Sequence, residues 1–255
     1  MTLPLVQLLT AEIYGLLLVL VRVGAALSML PGFGEMAVPV QTRLAAALGL
    51  SLALAAIVPG LPAAAPDAVT DLLRHVFAEL IAGAVLGVCA RILFACLQMA
   101  GQVISQSMGL SNIFALPGTG FEGGSVAGSY LMLGGLVLIF VTDLHHAVIR
   151  ALVDSYRLMP AATLPDMGML ARMTSEAVAL SFRMAAQFAG PFLVLGFVYN
   201  AGLGLINRAM PQFAVFFIGL PISILGGLFI LAVTIAAILT GFLDGFAGWL
   251  LRFGG

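Results

Sequence analysis

The stretch Arg91–Ser125, RILFACLQMAGQVISQSMGLSNIFALPGTGFEGGS, begins with a helical pattern and ends with an apolar, glycine-rich one. Up to Ser107 it consists mainly of Ile, Leu, Phe, Ala, Cys, Met and Val, which favours a helix in apolar surroundings. After Gly109 the chain contains Asn112, Pro117 and several glycines, which interrupt regular structure. The stretch therefore predicts a long helix followed by an irregular segment.

A polar stripe runs along the helical half of this stretch. It comprises Arg91, Gln98, Gln102 and Ser105, whose spacings of seven, four and three place them on one helix face. A polar face on an apolar helix in lipid must contact protein or water. We therefore expect this stripe to face away from the lipid.

The irregular half is unusually apolar for a loop. It contains Ile113, Phe114, Leu116 and Phe121, with Glu122 as its one charge. A loop exposed to water has no need of these side chains. We expect the segment to be packed inside protein.

The composition extends this interpretation to the whole chain. Of its 255 residues, 62% are hydrophobic and 8% are charged, whereas soluble domains carry about 25% charged residues. The sequence therefore predicts an all-α integral membrane protein, with about six long hydrophobic helices in hairpins around the glycine-rich segment. A net charge of -1 gives no electrostatic basis for binding nucleic acid.

Six helices are predicted from the apolar runs and their breakers, at about Pro4–Leu30, Arg43–Val58, Asp71–Ser107, Ser125–Val141, Ala177–Ile206 and Phe213–Leu243. The third and sixth would be about 55 and about 52 Å long, against a hydrocarbon core of about 30 Å. The sixth helix must therefore break at Pro221 or cross the membrane in an unusual way. The mixed, amphipathic segment 143–176 is predicted to lie at the surface.

Small and charged residues indicate where helices contact each other. Gly120, Gly124 and Gly128 are four residues apart, which favours close backbone approach. Arg22, Arg91 and Arg183 lie in or beside apolar runs, so each is expected to pair with an acid or reach water. Their partners stay open, and the candidate carboxylates are Glu12, Glu79 and Glu122.

No catalytic, cofactor or metal site is predicted. Asp143, His145 and His146 are interpreted as the end of a helix at the interface, because no second group of ligands accompanies them. Cys89 and Cys96 lie seven residues apart on one helix, about 10 Å along its axis and too far for a disulfide.

Three segments resemble the FliR family, flagellar biosynthesis proteins of the type III export gate. They are RVGAALSMLPGFGEMAVPVQTRLAAALGLSLALA (22–55), QMAGQVISQSMGL (98–110) and NRAMPQFAVFFIGLPISILGG (207–227). They occur in the order found in the family, and the resemblance extends over nearly the whole chain.

The resemblance implies a non-catalytic core subunit of the flagellar export gate in the bacterial inner membrane and basal body. Such a subunit would assemble with FliP and FliQ in a hetero-oligomeric ring, with FlhB and FlhA nearby. Part of the complex would be raised toward the periplasm. It would use no cofactor, would contact membrane lipid, and would pass unfolded flagellar subunits.

The resemblance also implies roles for particular residues. Residues 1–158 would be a FliP-like part and 175–255 a FliQ-like helical hairpin, whose turn contains Asn207, Arg208, Pro211 and Gln212. The segment at about 106–124 would plug the pore through Met108, Ile113, Phe114, Leu116, Pro117 and Phe121.

Two other classes are weighed against this one. A small-solute secondary transporter would use a helix broken near Pro117 to bind its substrate, but the sequence contains no detectable internal repeat and no clustered ion site. A membrane enzyme is disfavoured because no set of acid, base and nucleophile emerges.

Overall fold

The computed structural model describes residues 3–35, 38–62, 64–109, 125–210 and 215–253. Within these residues, all regular secondary structure is helical. The α-helices are α1 (Leu3–Met29), α2 (Val40–Ala55), α3 (Val69–Ser107), α4 (Val126–Val141), α5 (Leu144–Leu158), α6 (Met167–Ala209) and α7 (Val215–Leu250), followed by a 3-10 turn at Leu251–Phe253. The chain is thus an all-α integral membrane protein, as the composition predicts.

Four of these helices are long and apolar enough to cross a membrane: α1, α3, α6 and α7. The broken pair α4 and α5 would make a fifth span if taken together. The chain itself buries only 17% of the most apolar window of α6 and 11% of that of α7. These two helices therefore keep most of their apolar surface for lipid or for other proteins.

Two prolines lie inside the last two long helices, Pro191 within α6 and Pro221 within α7. Of the two alternatives predicted for the sixth helix, the break at Pro221 is therefore not observed. Membrane helices accommodate a proline when nearby groups satisfy the freed carbonyl. The unbroken α7 has 36 residues, or about 54 Å at 1.5 Å per residue.

Helix α6 begins ten residues earlier than predicted, at Met167 instead of Ala177. The Asp166 carboxylate accepts hydrogen bonds from the backbone N–H groups of Gly168 at 3.1 Å and Met169 at 3.0 Å. This is an N-terminal cap, which satisfies donors that the first helical turn leaves free. Pro165 immediately precedes this cap and therefore lies outside the helix.

Segment 143–176, predicted to be amphipathic and to lie at the surface, is buried on one side and exposed on the other where it forms α5. Residues 144–158 form α5, which buries Ala151, Leu152, Ser155 and Tyr156. The helix is amphipathic, so its apolar side packs inward while Arg150 and Arg157 stay exposed. Asp143, at a left-handed φ of 57°, separates α5 from α4.

The chain divides into two compact units that interleave along the sequence. The first unit comprises residues 1–93, 143–179 and 247–255. There α1 and α3 approach each other closely at two glycines of α3. A Cβ at Gly83 would overlap the carbonyl oxygen of Arg22, and one at Gly87 would lie 2.7 Å from the Cβ of Met29. Small residues thus bring these two backbones together.

The second unit comprises residues 94–142 and 180–246. Its core contains three rings, with centroids 5.0 Å apart for Phe94 and Phe242 and 5.5 Å apart for Phe94 and Phe246. Phe242 also lies against Gly135 of α4, where an added Cβ would be 3.2 Å from the ring. The division into residues 1–158 and 175–255 was predicted from family resemblance, whereas these two units are defined by contacts within the chain. The units therefore do not test that division, and it stays a prediction.

Candidate functional site

The candidate site is the place where the chain leaves α3 at Gly109 and returns at Ser125. Of the predicted plug residues, Met108 is described, and Ile113, Phe114, Leu116, Pro117 and Phe121 lie outside the described residues. Gly120 and Gly124 of the predicted glycine ridge also lie outside them. The structure therefore defines the two ends of the predicted plug segment.

The first end is the last turn of α3. The Met108 N–H donates to Ile104 O at 3.0 Å, and the Gly109 N–H donates to Gln106 O at 3.1 Å. Gly109 has a φ of +74°, the left-handed conformation that commonly terminates helices and that glycine adopts at little cost. Met108 itself is 1% exposed. The residue that follows α3, Met108, is thus fully buried, and the chain turns away from the helix axis at Gly109.

Helix α7 holds this end of α3. The Ser223 hydroxyl donates to Met108 O at 3.0 Å. The Met108 side chain lies over Gly227, where an added Cβ would overlap Met108 Cγ. The carbonyl and the side chain of Met108 therefore both contact α7.

The second end is fixed by Ser125, the N-terminal cap of α4. Its Oγ accepts from the Gly128 N–H at 3.0 Å and donates to Gly101 O at 2.7 Å. Ser105 Oγ lies 2.7 Å from Ser125 Oγ. Because the Ser125 hydroxyl proton is already given to Gly101 O, Ser105 must be the donor in this pair. The chain thus returns onto the same helix that it left.

Two glycines bring α3 and α4 into backbone contact next to Ser125. A Cβ at Gly101 would overlap the N and Cα atoms of Gly128. A Cβ at Gly128 would lie 3.1 Å from Gln98 O. Gly128 was singled out from the sequence and Gly101 was missed, although an isolated glycine inside an apolar helix is a signal for such an approach.

The predicted polar stripe does not share one environment. Arg91, Gln98 and Gln102 are exposed, whereas Ser105 is buried against Ser125. Among the described residues, Arg91 forms no ion pair within 4.0 Å. The stripe thus leaves a cation and two amides on the outside of an apolar helix.

Arg22 is the one buried arginine among the described residues, and it is 1% exposed. Its Nε donates to Glu79 Oε2 at 2.6 Å, which selects Glu79 from the three candidate partners. Its remaining contacts come from α5 and the following turn, and the sequence did not indicate them. Nη1 donates to Ser155 Oγ at 3.3 Å, Nη2 donates to Met159 O at 3.0 Å, and the guanidinium lies 3.7 Å from the Tyr156 ring centroid.

Glu79 completes this network on its other oxygen. The Ala162 N–H donates to Glu79 Oε1 at 2.9 Å, and Glu79 is 0% exposed. The network therefore joins α1, α3, α5 and the turn after α5 within the first unit, and we name it the Arg22 network. Arg183, the third arginine considered, is exposed on α6.

The remaining predicted residues lie at helix ends. Asn207 and Arg208 are exposed in the last turn of α6, and Pro211 and Gln212 lie outside the described residues. Asp143, His145 and His146 come together at the start of α5, with ligand atoms within 4.8 Å of one another. They are consecutive or nearly so in the chain, and His146 Nδ1 lies 3.8 Å from Asp143 Oδ1.

The chain is similar to known proteins over most of its length. Residues 13–248 match the family described as "Bacterial export proteins, family 1". The flagellar biosynthetic protein FliR of Caulobacter vibrioides is 35% identical over 229 residues, which cover 89% of this chain and 90% of that protein. The FliR proteins of Escherichia coli K12 and Bacillus subtilis 168 are 28% and 27% identical, over 84% and 87% of this chain and 81% and 86% of theirs.

Proposed function

Because the chain belongs to the bacterial export proteins, family 1, and is a FliR-family component of the flagellar export apparatus, we propose that it is a pore subunit whose segment 110–124 plugs the export channel. The pore would lie in the inner membrane at the flagellar basal body. Its cargo would be unfolded flagellar subunits. The plug would keep the pore closed to ions when no cargo passes.

The observation that carries this proposal is that both ends of segment 110–124 are held on α3. The chain leaves α3 at Gly109, and Ser125 returns beside Ser105 through the 2.7 Å contact between their hydroxyls. Ser105 and Gly109 differ by four residues, or about 6 Å along the helix axis. Both ends of the segment are thus tied to the same stretch of helix, and the segment itself is rich in apolar side chains.

Apolar side chains suit a seal that must exclude water and ions. Ile113, Phe114, Leu116 and Phe121 would fill a pore without offering a charge or a hydrogen bond to a permeating ion. Several glycines in the same segment would let the backbone move aside for a passing chain. This role requires shape and apolarity, and it involves no catalysis.

The exposed surfaces support assembly with other subunits. Arg91, Gln98 and Gln102 would be costly against lipid, so they favour a protein partner or a water-filled pore. The exposed apolar faces of α6 and α7 fit neighbouring helices as well as lipid. We propose FliP and FliQ as the ring partners, with FlhB and FlhA beside the ring.

Secretion of flagellar subunits tests this function. We delete the gene for this chain in a strain that normally forms flagella. We then expect the filament subunit to be absent from the medium while it remains detectable inside the cells. Expression of the chain from a plasmid should restore secretion. A protein exported through its own signal peptide serves as the control and should reach the periplasm in both strains. Normal secretion of the filament subunit without this chain would refute the proposal.

A further inference from the structure

The last turn of α3 rests on a small recess in α7. The recess lies at Gly227, where an added Cβ would lie 2.9 Å from both Sδ and Cε of Met108 and would overlap its Cγ. Met108 is fully enclosed, at 1% exposure. Its side chain therefore occupies the space that any residue other than glycine would fill at position 227.

A second contact holds the backbone at Met108. It comes from Ser223 of α7, which lies one helical turn before Gly227. Met108 directly follows Ser107, the last residue of α3, so its carbonyl has no donor within that helix. The Ser223 hydroxyl supplies this donor at 3.0 Å. A side chain of α7 thus completes the C-terminal hydrogen bonding of α3.

A third contact flanks the residue at which the chain leaves the helix. Gly109 has a φ of +74°, and a Cβ on it would lie 3.7 Å from Leu220 Cδ1. Leu220, Ser223 and Gly227 are three and four residues apart, so they form one face of α7. We name this face the α7 seat.

From these contacts we infer that the α7 seat fixes the position and direction in which the chain leaves α3, which makes Ser223 and Gly227 positioning residues for the seal. The inference rests on the proposed function, because it assigns the control of the plug segment to the last helix. It also predicts that a change on α7, far along the sequence from the segment, alters the tightness of the pore.

Two adjacent glycines make a matched test of this inference. Gly227→Ala puts a methyl group into the space of Met108, whereas a Cβ at Gly226 would meet nothing within 4 Å. Both substitutions change the same residue type in the same helix. In assembled complexes reconstituted into liposomes, we expect Gly227→Ala to raise the leak of a small anionic dye at least several-fold. Gly226→Ala should leave the leak at the wild-type level.

A second-site change tests whether the cause is the contact itself. Met108→Ala removes Cγ, Sδ and Cε, the atoms that a methyl group at position 227 would meet, while the hydrogen bond from Ser223 to the backbone is kept. Met108 is itself a predicted plug residue, so the leak of Met108→Ala alone is the reference. In that background Gly227→Ala should add little further leak. An added leak as large as the one that Gly227→Ala causes in the wild-type chain would contradict the seat.

Ser223→Ala is a second test of the α7 seat, to be used if complexes that contain Gly227→Ala do not assemble. It removes only the hydroxyl, and Thr240→Ala is its control because the hydrogen bonds of the Thr240 hydroxyl to described residues stay within α7, at Ala236 O and Ala237 O. We expect a leak with Ser223→Ala and none with Thr240→Ala.

The plug itself is tested separately, by deletion of residues 113–121. If that deletion leaks while Gly227→Ala and Ser223→Ala stay tight, the seat is refuted and the plug stands. If the deletion is also tight, the plug is refuted and this inference fails with it.

Discussion

Arg22→Leu is expected to destabilise the chain by about 3–5 kcal/mol, the usual cost of removing one partner from a buried ion pair. Glu79, at 0% exposure, would lose its cationic partner while it keeps the hydrogen bond from the Ala162 N–H. Ser155 Oγ and Met159 O would lose their guanidinium donors. The loss should appear as a lower thermal unfolding midpoint of the purified protein in detergent, and as less full-length chain in the membrane.

A surface arginine provides the control for this prediction. Arg157 pairs with Asp154 at 3.6 Å, but its side chain is 68% exposed. Such a pair contributes about 0.2–1 kcal/mol, so Arg157→Leu should move the midpoint little.

The double variant Arg22→Leu/Glu79→Leu separates the charge from the packing. It removes both buried charges, so it should recover part of the stability lost in Arg22→Leu. Recovery should be incomplete, because Met159 O and the Ala162 N–H remain without partners. A double variant less stable than Arg22→Leu would show that the Arg22 network does not act as an ion pair.

Deletion of residues 113–121 is expected to leave the complex assembled and make it permanently leaky. The six residues that remain between Gly109 and Ser125 span up to about 20 Å, while both ends are anchored on α3 about 6 Å apart along its axis. The shortened segment can therefore close without disturbing Ser105, Ser125 or Met108. Assembly is measured on a native gel, and leak by ion flux into liposomes that contain the purified complex.

A variant of unchanged length guards against an effect of shortening. Phe114→Ser/Phe121→Ser keeps every backbone atom and removes the two largest apolar side chains of the segment. It should leak as well, although less than the deletion. An assembled deletion complex as tight as the wild type would refute the plug.

The all-α fold class and the positions of most helices follow from the sequence, because both depend on local composition. The apolar runs predict α1, α3 and α4 to within two residues at each end. The start of α6 at Met167 does not follow in the same way, because residues 167–176 contain no long apolar run and the cap at Asp166 is recognised by its hydrogen bonds. Whether Pro221 breaks its helix does not follow from the sequence either, since the effect of a proline in a membrane helix depends on the surrounding groups.

The contacts at the candidate site depend on distances that no single segment contains. Glu79 could be proposed for Arg22 only alongside Glu12 and Glu122, because 57 residues separate the pair along the chain. The glycine pair on α7 is visible in the sequence, but the rotation of α7 decides that Gly227 faces Met108 and Gly226 does not. The contact of the Ser125 cap with Ser105 likewise joins residues that lie 20 apart in the sequence.

Native mass spectrometry of the tagged chain tests the central claim most directly. The chain would be expressed with the other gate proteins and extracted in a mild detergent. The account predicts a single copy of this chain within a large assembly of several different subunits, because α6, α7 and the polar stripe of α3 leave so much surface uncovered. A monomer or homodimer in the presence of those proteins would contradict it and favour a small-solute transporter.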